Sequence, residues 1–155
     1  MAGFGEPGVT TVDASGLTVG IVAARWHAEL TDHMVDRAVA AAKASAVADV
    51  AVARVAGSVE IPVVAQALAK KYDVVVALGV VIRGSTAHFE YVCQSVTEGL
   101  TRVALDSGKP VAHGVLTVNT LEQAQDRAGL PGSAEDKGYA ATLAALDAAL
   151  TIRAI

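Results

Sequence analysis

The run Val74–Ile82, VVVALGVVI, limits most tightly what this chain can fold into. It carries no polar side chain, is rich in β-branched residues and is too short for an ordinary helix, so it reads as a central parallel strand covered on both faces. Leu17–Ala24 (LTVGIVAA) reads in the same way as a strand buried on both faces, and Val50–Ala56 and Val111–Val118 read as two further strands. Helical periodicity fills the gaps between them. Leu30, Met34, Ala38, Ala41 and Ala44 recur at spacings of three and four, as do Val92, Val96, Leu100 and Val103. Pro62 suits the first residue of a helix reaching Lys70 and Lys71, a short helix is expected over Leu121–Ala128 before Gly129, and Ser133-Ala134-Glu135-Asp136 resembles a capping box opening a last helix with Leu143, Leu146 and Leu150 on its face.

Strands alternating with helices imply right-handed crossovers. The expected fold is therefore an α/β three-layer sandwich: a four-stranded parallel sheet of order 2-1-3-4, flavodoxin-like, with helices on both faces. Residues 12–155 form this single domain. Residues 1–11 (MAGFGEPGVTT) lack periodicity and form a flexible arm, or one that orders only against a neighbour. In this strand order ligands bind at the carboxyl ends of the strands beside the switch point between the first and third. The loops converging there are Arg25–His27, Gly57–Glu60 and Arg83–His88.

The last of these loops, together with the residues on either side of it, reads as strand end, tight turn and helix start. Gly84, Ser85 and Thr86 aim backbone N–H groups at one place, where the helix dipole also favours an anion, so a phosphate can sit there without a lysine. His88 stands at a helix start, where the dipole favours the neutral imidazole and hence a proton acceptor; read alone, it is more often structural. Trp26 can stack on a flat heterocycle or simply close the rim of the core. Glu60 beside Ser58 can accept hydrogen bonds from a polyol, or serve only as an acid near a helix start. No metal-ligand spacing, GxGxxG or GxxxxGK[ST] occurs, and Cys93, the only cysteine, reads as a buried inert thiol.

Composition narrows the setting. Hydrophobic residues make up 53% of the chain before glycine is counted, against roughly 45–50% with glycine in an average soluble protein. No apolar run is long enough for a transmembrane helix, so burial between subunits is the expected outlet for that surplus. The net charge of −4, with 12 basic residues scattered along the chain, gives nucleic acid no cationic stripe. No secretory signal is evident at the start, which makes the cytoplasm the simplest address.

Taken together, Trp26-His27, GSVEIPVVAQ (Gly57–Gln66), GVVIRGSTAHFEYV (Gly79–Val92), GVLTVNT (Gly114–Thr120) and EQAQDRAG (Glu122–Gly129) closely resemble the 6,7-dimethyl-8-ribityllumazine synthase family. The resemblance spans about Asp13 to Ala149. It implies a transferase of riboflavin biosynthesis, condensing 5-amino-6-(D-ribitylamino)pyrimidinedione with 3,4-dihydroxy-2-butanone 4-phosphate, releasing phosphate and water, with no metal or organic cofactor. By the same resemblance Trp26 stacks on the pyrimidine, Ser58, Val59 and Glu60 hold the ribityl chain, and Val80, Val81 and Ile82 line the ring. Gly84, Ser85 and Thr86 contact phosphate, and His88 transfers protons. Arg127 matches a phosphate-binding arginine and Lys137 a lysine near the site, both from the adjacent subunit. His113 stands where the family usually has Phe or Asn near the ribityl chain, and the loop Leu130–Asp136 is longer than in capsid-forming members, which implies a free homopentamer. The same scaffold could instead carry a non-catalytic flavin- or lumazine-binding protein, or a riboflavin-synthase-type relative.

Overall fold

A computed structural model describes residues 4–8 and 10–155. The expectation for the arm therefore falls partly outside the described residues. The sheet contains β1 (Thr18–Ala24), β2 (Asp49–Val55), β3 (Val74–Ile82) and β4 (Val111–Val118), all parallel and in the expected order β2-β1-β3-β4. The helices are α1 (Ala28–Ala44), α2 (Ile61–Ala69), α3 (His88–Ser107), α4 (Leu121–Gln125) and α5 (Lys137–Ala154), with a single 3-10 turn at Ser58–Glu60.

The period-two rule for strands divides the interior into two cores. Val19, Ile21 and Ala23 of β1 and Val74, Val76, Leu78 and Val80 of β3 face one way, against Leu30, Met34 and Ala38 of α1 and Leu146 and Ala149 of α5. Val22, Ala24, Val75 and Ala77 face the other way, against Ile61 and Ala65 of α2 and Val96, Leu100 and Val103 of α3. Each central strand is thus apolar on both sides, which is why its sequence runs without alternation. β2 and β4 are the edges; on β2 only Val55 is fully buried.

The helix boundaries differ from the sequence expectation in informative ways. Pro62 is the second residue of α2, because Ile61 already takes helical geometry, and Lys70 and Lys71 lie just past its end. Ala44, expected on the buried stripe, is exposed. α4 stops at Gln125 rather than Ala128, since the chain folds back and Ala128 pairs with Asp136 in an isolated antiparallel bridge. α5 starts at Lys137 because Asp136, not Ser133, is its N-cap: Asp136 Oδ1 accepts from Tyr139 N at 3.4 Å, while the Ser133 hydroxyl donates to the Gln125 carbonyl at 2.5 Å. Among the described residues no helix is long and apolar enough to cross a membrane.

Candidate active site

The loops after β1, β2 and β3 meet at the carboxyl edge of the sheet around an open cleft of about 360 Å³. Trp26, Ser58, Val59, Glu60, Val80, Val81, Ile82, Gly84, Thr86 and His88 all line it. Ser85 lies exposed between Gly84 and Thr86, outside the lining. The structure adds His27, Phe89 and Val92 to the wall. Val92 comes four positions after His88 on the same helix, so helical spacing could have found it; Phe89, one position after His88, and His27, beside Trp26, carried no spacing signal of that kind.

Each wall has a local cause. Trp26 leaves the end of β1 with 67% of its surface exposed, its ring tilted 53° to that of His27 at 6.4 Å. His27 turns the chain into α1 with φ 54°, a left-handed conformation that costs a non-glycine residue energy and concentrates at functional sites. The second wall is the Gly57–Glu60 turn. Glu60 Oε2 accepts from Gly57 N at 2.9 Å, closing the turn, and the side chain also lines the cleft. Gly79 lets this turn approach β3, because a Cβ there would lie 2.8 Å from Ser58 Oγ and 3.3 Å from Ile61 Cδ1.

The third wall is the anion turn. Ala87, the N-cap of the 20-residue α3, offers no side-chain acceptor; His88 N donates instead to Thr86 Oγ1 at 3.4 Å and Glu90 N to Ala87 O at 3.1 Å. Arg83 adjoins the turn but is occupied elsewhere. Its main-chain N donates to Val118 O at 2.9 Å, its Nε to Asn119 Oδ1 at 2.8 Å, and its guanidinium pairs with Glu90 and lies 4.4 Å above the Phe89 ring. The hydrogen bond from Arg83 holds the Glu90 carboxyl below the usual carboxylate range. Arg83 thus fastens the turn to β4, and among the described residues lining the cleft there is no lysine or arginine.

The expected cations stand in a second cleft, of about 320 Å³, on the far side of β4. Arg127, Lys137 and His113 line it together with Glu135 and Thr117. Arg127 Nη1 donates to Gln123 O at 3.0 Å, which turns the guanidinium back along α4. His113 Nε2 lies 2.9 Å from Thr97 Oγ1 on α3. Desolvation pulls the His113 pKa below the ordinary imidazole value, partly opposed by a hydrogen bond to its own backbone, and the charge on Lys137 lowers it further. Cys93 belongs to neither cleft; it is half-buried rather than fully buried, and desolvation, aided by the Glu90 charge, raises its thiol pKa.

This fold and cleft define a class: a doubly wound parallel α/β protein with an open cleft at the switch point of its sheet, walled by the loops after β1, β2 and β3. The sequence profile of 6,7-dimethyl-8-ribityllumazine synthase matches residues 16–153. The chain is 78% identical over 155 residues to the 6,7-dimethyl-8-ribityllumazine synthase of Salinispora arenicola, covering 100% of this chain and 93% of that protein. It is 63% identical to that of Thermobifida fusca (99% and 89% covered) and 58% identical to that of Saccharopolyspora erythraea (99% and 93%). The chain belongs to the 6,7-dimethyl-8-ribityllumazine synthase family.

Proposed function

We propose that the two clefts are the halves of one active site, joined where two copies of the chain meet, and that the joined site condenses 5-amino-6-(D-ribitylamino)pyrimidinedione with 3,4-dihydroxy-2-butanone 4-phosphate. One observation carries this reading: the anion turn and His88 lie in a cleft without a lysine or arginine, while Arg127 and Lys137 lie in a separate cleft of the same chain. A doubly charged phosphate needs both, since Arg grips phosphate through two parallel hydrogen bonds that a turn alone does not supply. The exposed apolar side chains Val59, Val63, Tyr91 and Leu105 support association of copies, because a monomer would leave them in water. The assembly we favour is a homopentamer in the cytoplasm, residues 12–155 forming each subunit's domain and residues 1–11 an arm.

Within such a site Trp26 stacks on the pyrimidinedione, Val80, Val81 and Ile82 line its other side, and Ser58, Val59 and Glu60 hold the ribityl hydroxyls, with the neighbour's His113 alongside. The 5-amino group attacks the ketone and water leaves to give an imine. His88 carries protons as phosphate departs toward Gly84, Ser85, Thr86 and the neighbour's Arg127 and Lys137. The ribitylamino nitrogen then closes the second ring with loss of water. Strong acid and base groups are few here, so most of the acceleration comes from holding two substrates in register.

Mixing the two substrates with the protein and monitoring lumazine absorbance alongside phosphate release tests the activity. Equimolar lumazine and phosphate, formed well above the spontaneous rate, are expected. A rate equal to the spontaneous one would mean a silent lumazine-binding protein, and riboflavin formed from lumazine alone would mean a dismutating relative.

A further inference from the structure

Arg127 and Lys137 stand at the two feet of one folded-back loop. Lys137 N donates to Arg127 O at 3.0 Å, Glu135 N to Asp126 O at 3.0 Å and Gly129 N to Glu135 O at 3.1 Å, so the feet are tied to each other. The loop leads from α4, a helix of five residues, to the start of α5, and its Ala128 is buried in the core with Leu130 packed against it. The polar ties that fix it to the body of the protein come from α1. His33 Nε2 lies 2.8 Å from the Gly129 carbonyl, a contact in which the ring nitrogen must donate. One turn further on, Arg37 Nε donates to Asp136 Oδ2 at 2.8 Å, and the guanidinium lies 4.9 Å from the centre of the Tyr139 ring. Gly138, at the start of α5, is buried so closely against α1 that a Cβ there would run into the Met34 carbonyl.

We propose that His33 and Arg37 are positioning residues for the phosphate-bearing substrate: they touch neither substrate, and they set where Arg127 and Lys137 stand. The chemistry favours this over simple fold stabilisation. Both bonds end on the loop itself, at Gly129 and Asp136, which lie close to Arg127 and Lys137 in the chain, and both donors are half-buried, so they hold a fixed geometry without being core residues. The inference rests on the reading of Arg127 as a phosphate ligand.

The test uses the full-length assembled protein and steady-state kinetics with each substrate varied in turn. Arg37→Met and His33→Leu are expected to raise the KM for the butanone phosphate about three- to tenfold, in the lower part of the range of coupling between contacting residues, while the KM for the pyrimidine, the melting temperature and the assembly size stay near those of the parent. His33→Gln, whose amide nitrogen can replace the Nε2 donor, should restore the parent KM, and Arg37→Lys should restore it only in part, because it loses the planar guanidinium. Arg127→Ala serves as the reference. If it raises the butanone phosphate KM and the α1 variants do not, or if they raise both KM values together with a lowered melting temperature, the positioning role is wrong. If Arg127→Ala itself has no effect, the assignment of the phosphate ligand fails and the proposal falls with it.

Discussion

His113 shows how one side chain can report on its surroundings. Its ring belongs to the cation-bearing cleft beside Lys137, and its pKa is pulled below the ordinary 6.5, chiefly by desolvation. The folded protein therefore binds a proton here less readily than the unfolded chain does. Stability from this group is fully present above 6.5 and is lost as pH falls from 6.5 through the lowered native value. Melting temperatures of the parent and of His113→Asn, measured across that window at one protein concentration, should show the parent falling relative to the variant on acidification; parallel curves would mean that the ring titrates as it does in the unfolded chain. The sequence alone could mark His113 as a departure from the family pattern. It could not give the sign, because that depends chiefly on how far the fold desolvates the ring, and on the nearby charge of Lys137, which is distant in sequence.

At the level of elements, the sheet was legible because burial on both faces writes the central β1 and β3 into sequence as apolar runs, and the β-branched runs of the edges β2 and β4 follow them; all four fall within a residue of the strands. The first half of the site was legible for a related reason: Trp26, the Gly57–Glu60 turn and the Gly84–His88 turn each come directly after a strand end. The loop from Asp126 to Asp136 was not. Gly129 and Ser133 carry ordinary stop and start signals, but backbone pairing across the loop overrides them, and Ser133 spends its hydroxyl on Gln125 instead of on a cap. Gly129 is there for a different reason, with φ 75° and with the Asp136 carboxylate filling the space a Cβ would need. Gly129→Ala should therefore destabilise the protein by about 1–3 kcal/mol in thermal or denaturant unfolding, through backbone strain and displacement of Asp136. It should also weaken binding of the butanone phosphate more than that of the pyrimidine. An unchanged stability would show that the loop relaxes without cost.

For the whole molecule, the separation of the clefts matters most. A single chain lines one cleft with Trp26, the Gly57–Glu60 turn and the Gly84–His88 turn, and a separate cleft with Arg127 and Lys137. In the shared site proposed above, association does two things at once: it covers side chains such as Val63 and Leu105, which a single chain leaves exposed, and it brings the two clefts together. The most direct measurement is complementation between two crippled chains. One carries Trp26→Ala and His88→Ala, which spoil the first half, and the other carries Arg127→Ala, which spoils the second. Co-expressed in equal amounts and purified as mixed assemblies, they should recover activity, with about one quarter of the sites pairing two intact halves in a randomly mixed ring. Activity no greater than the average of the two variants prepared separately would contradict a site shared between subunits.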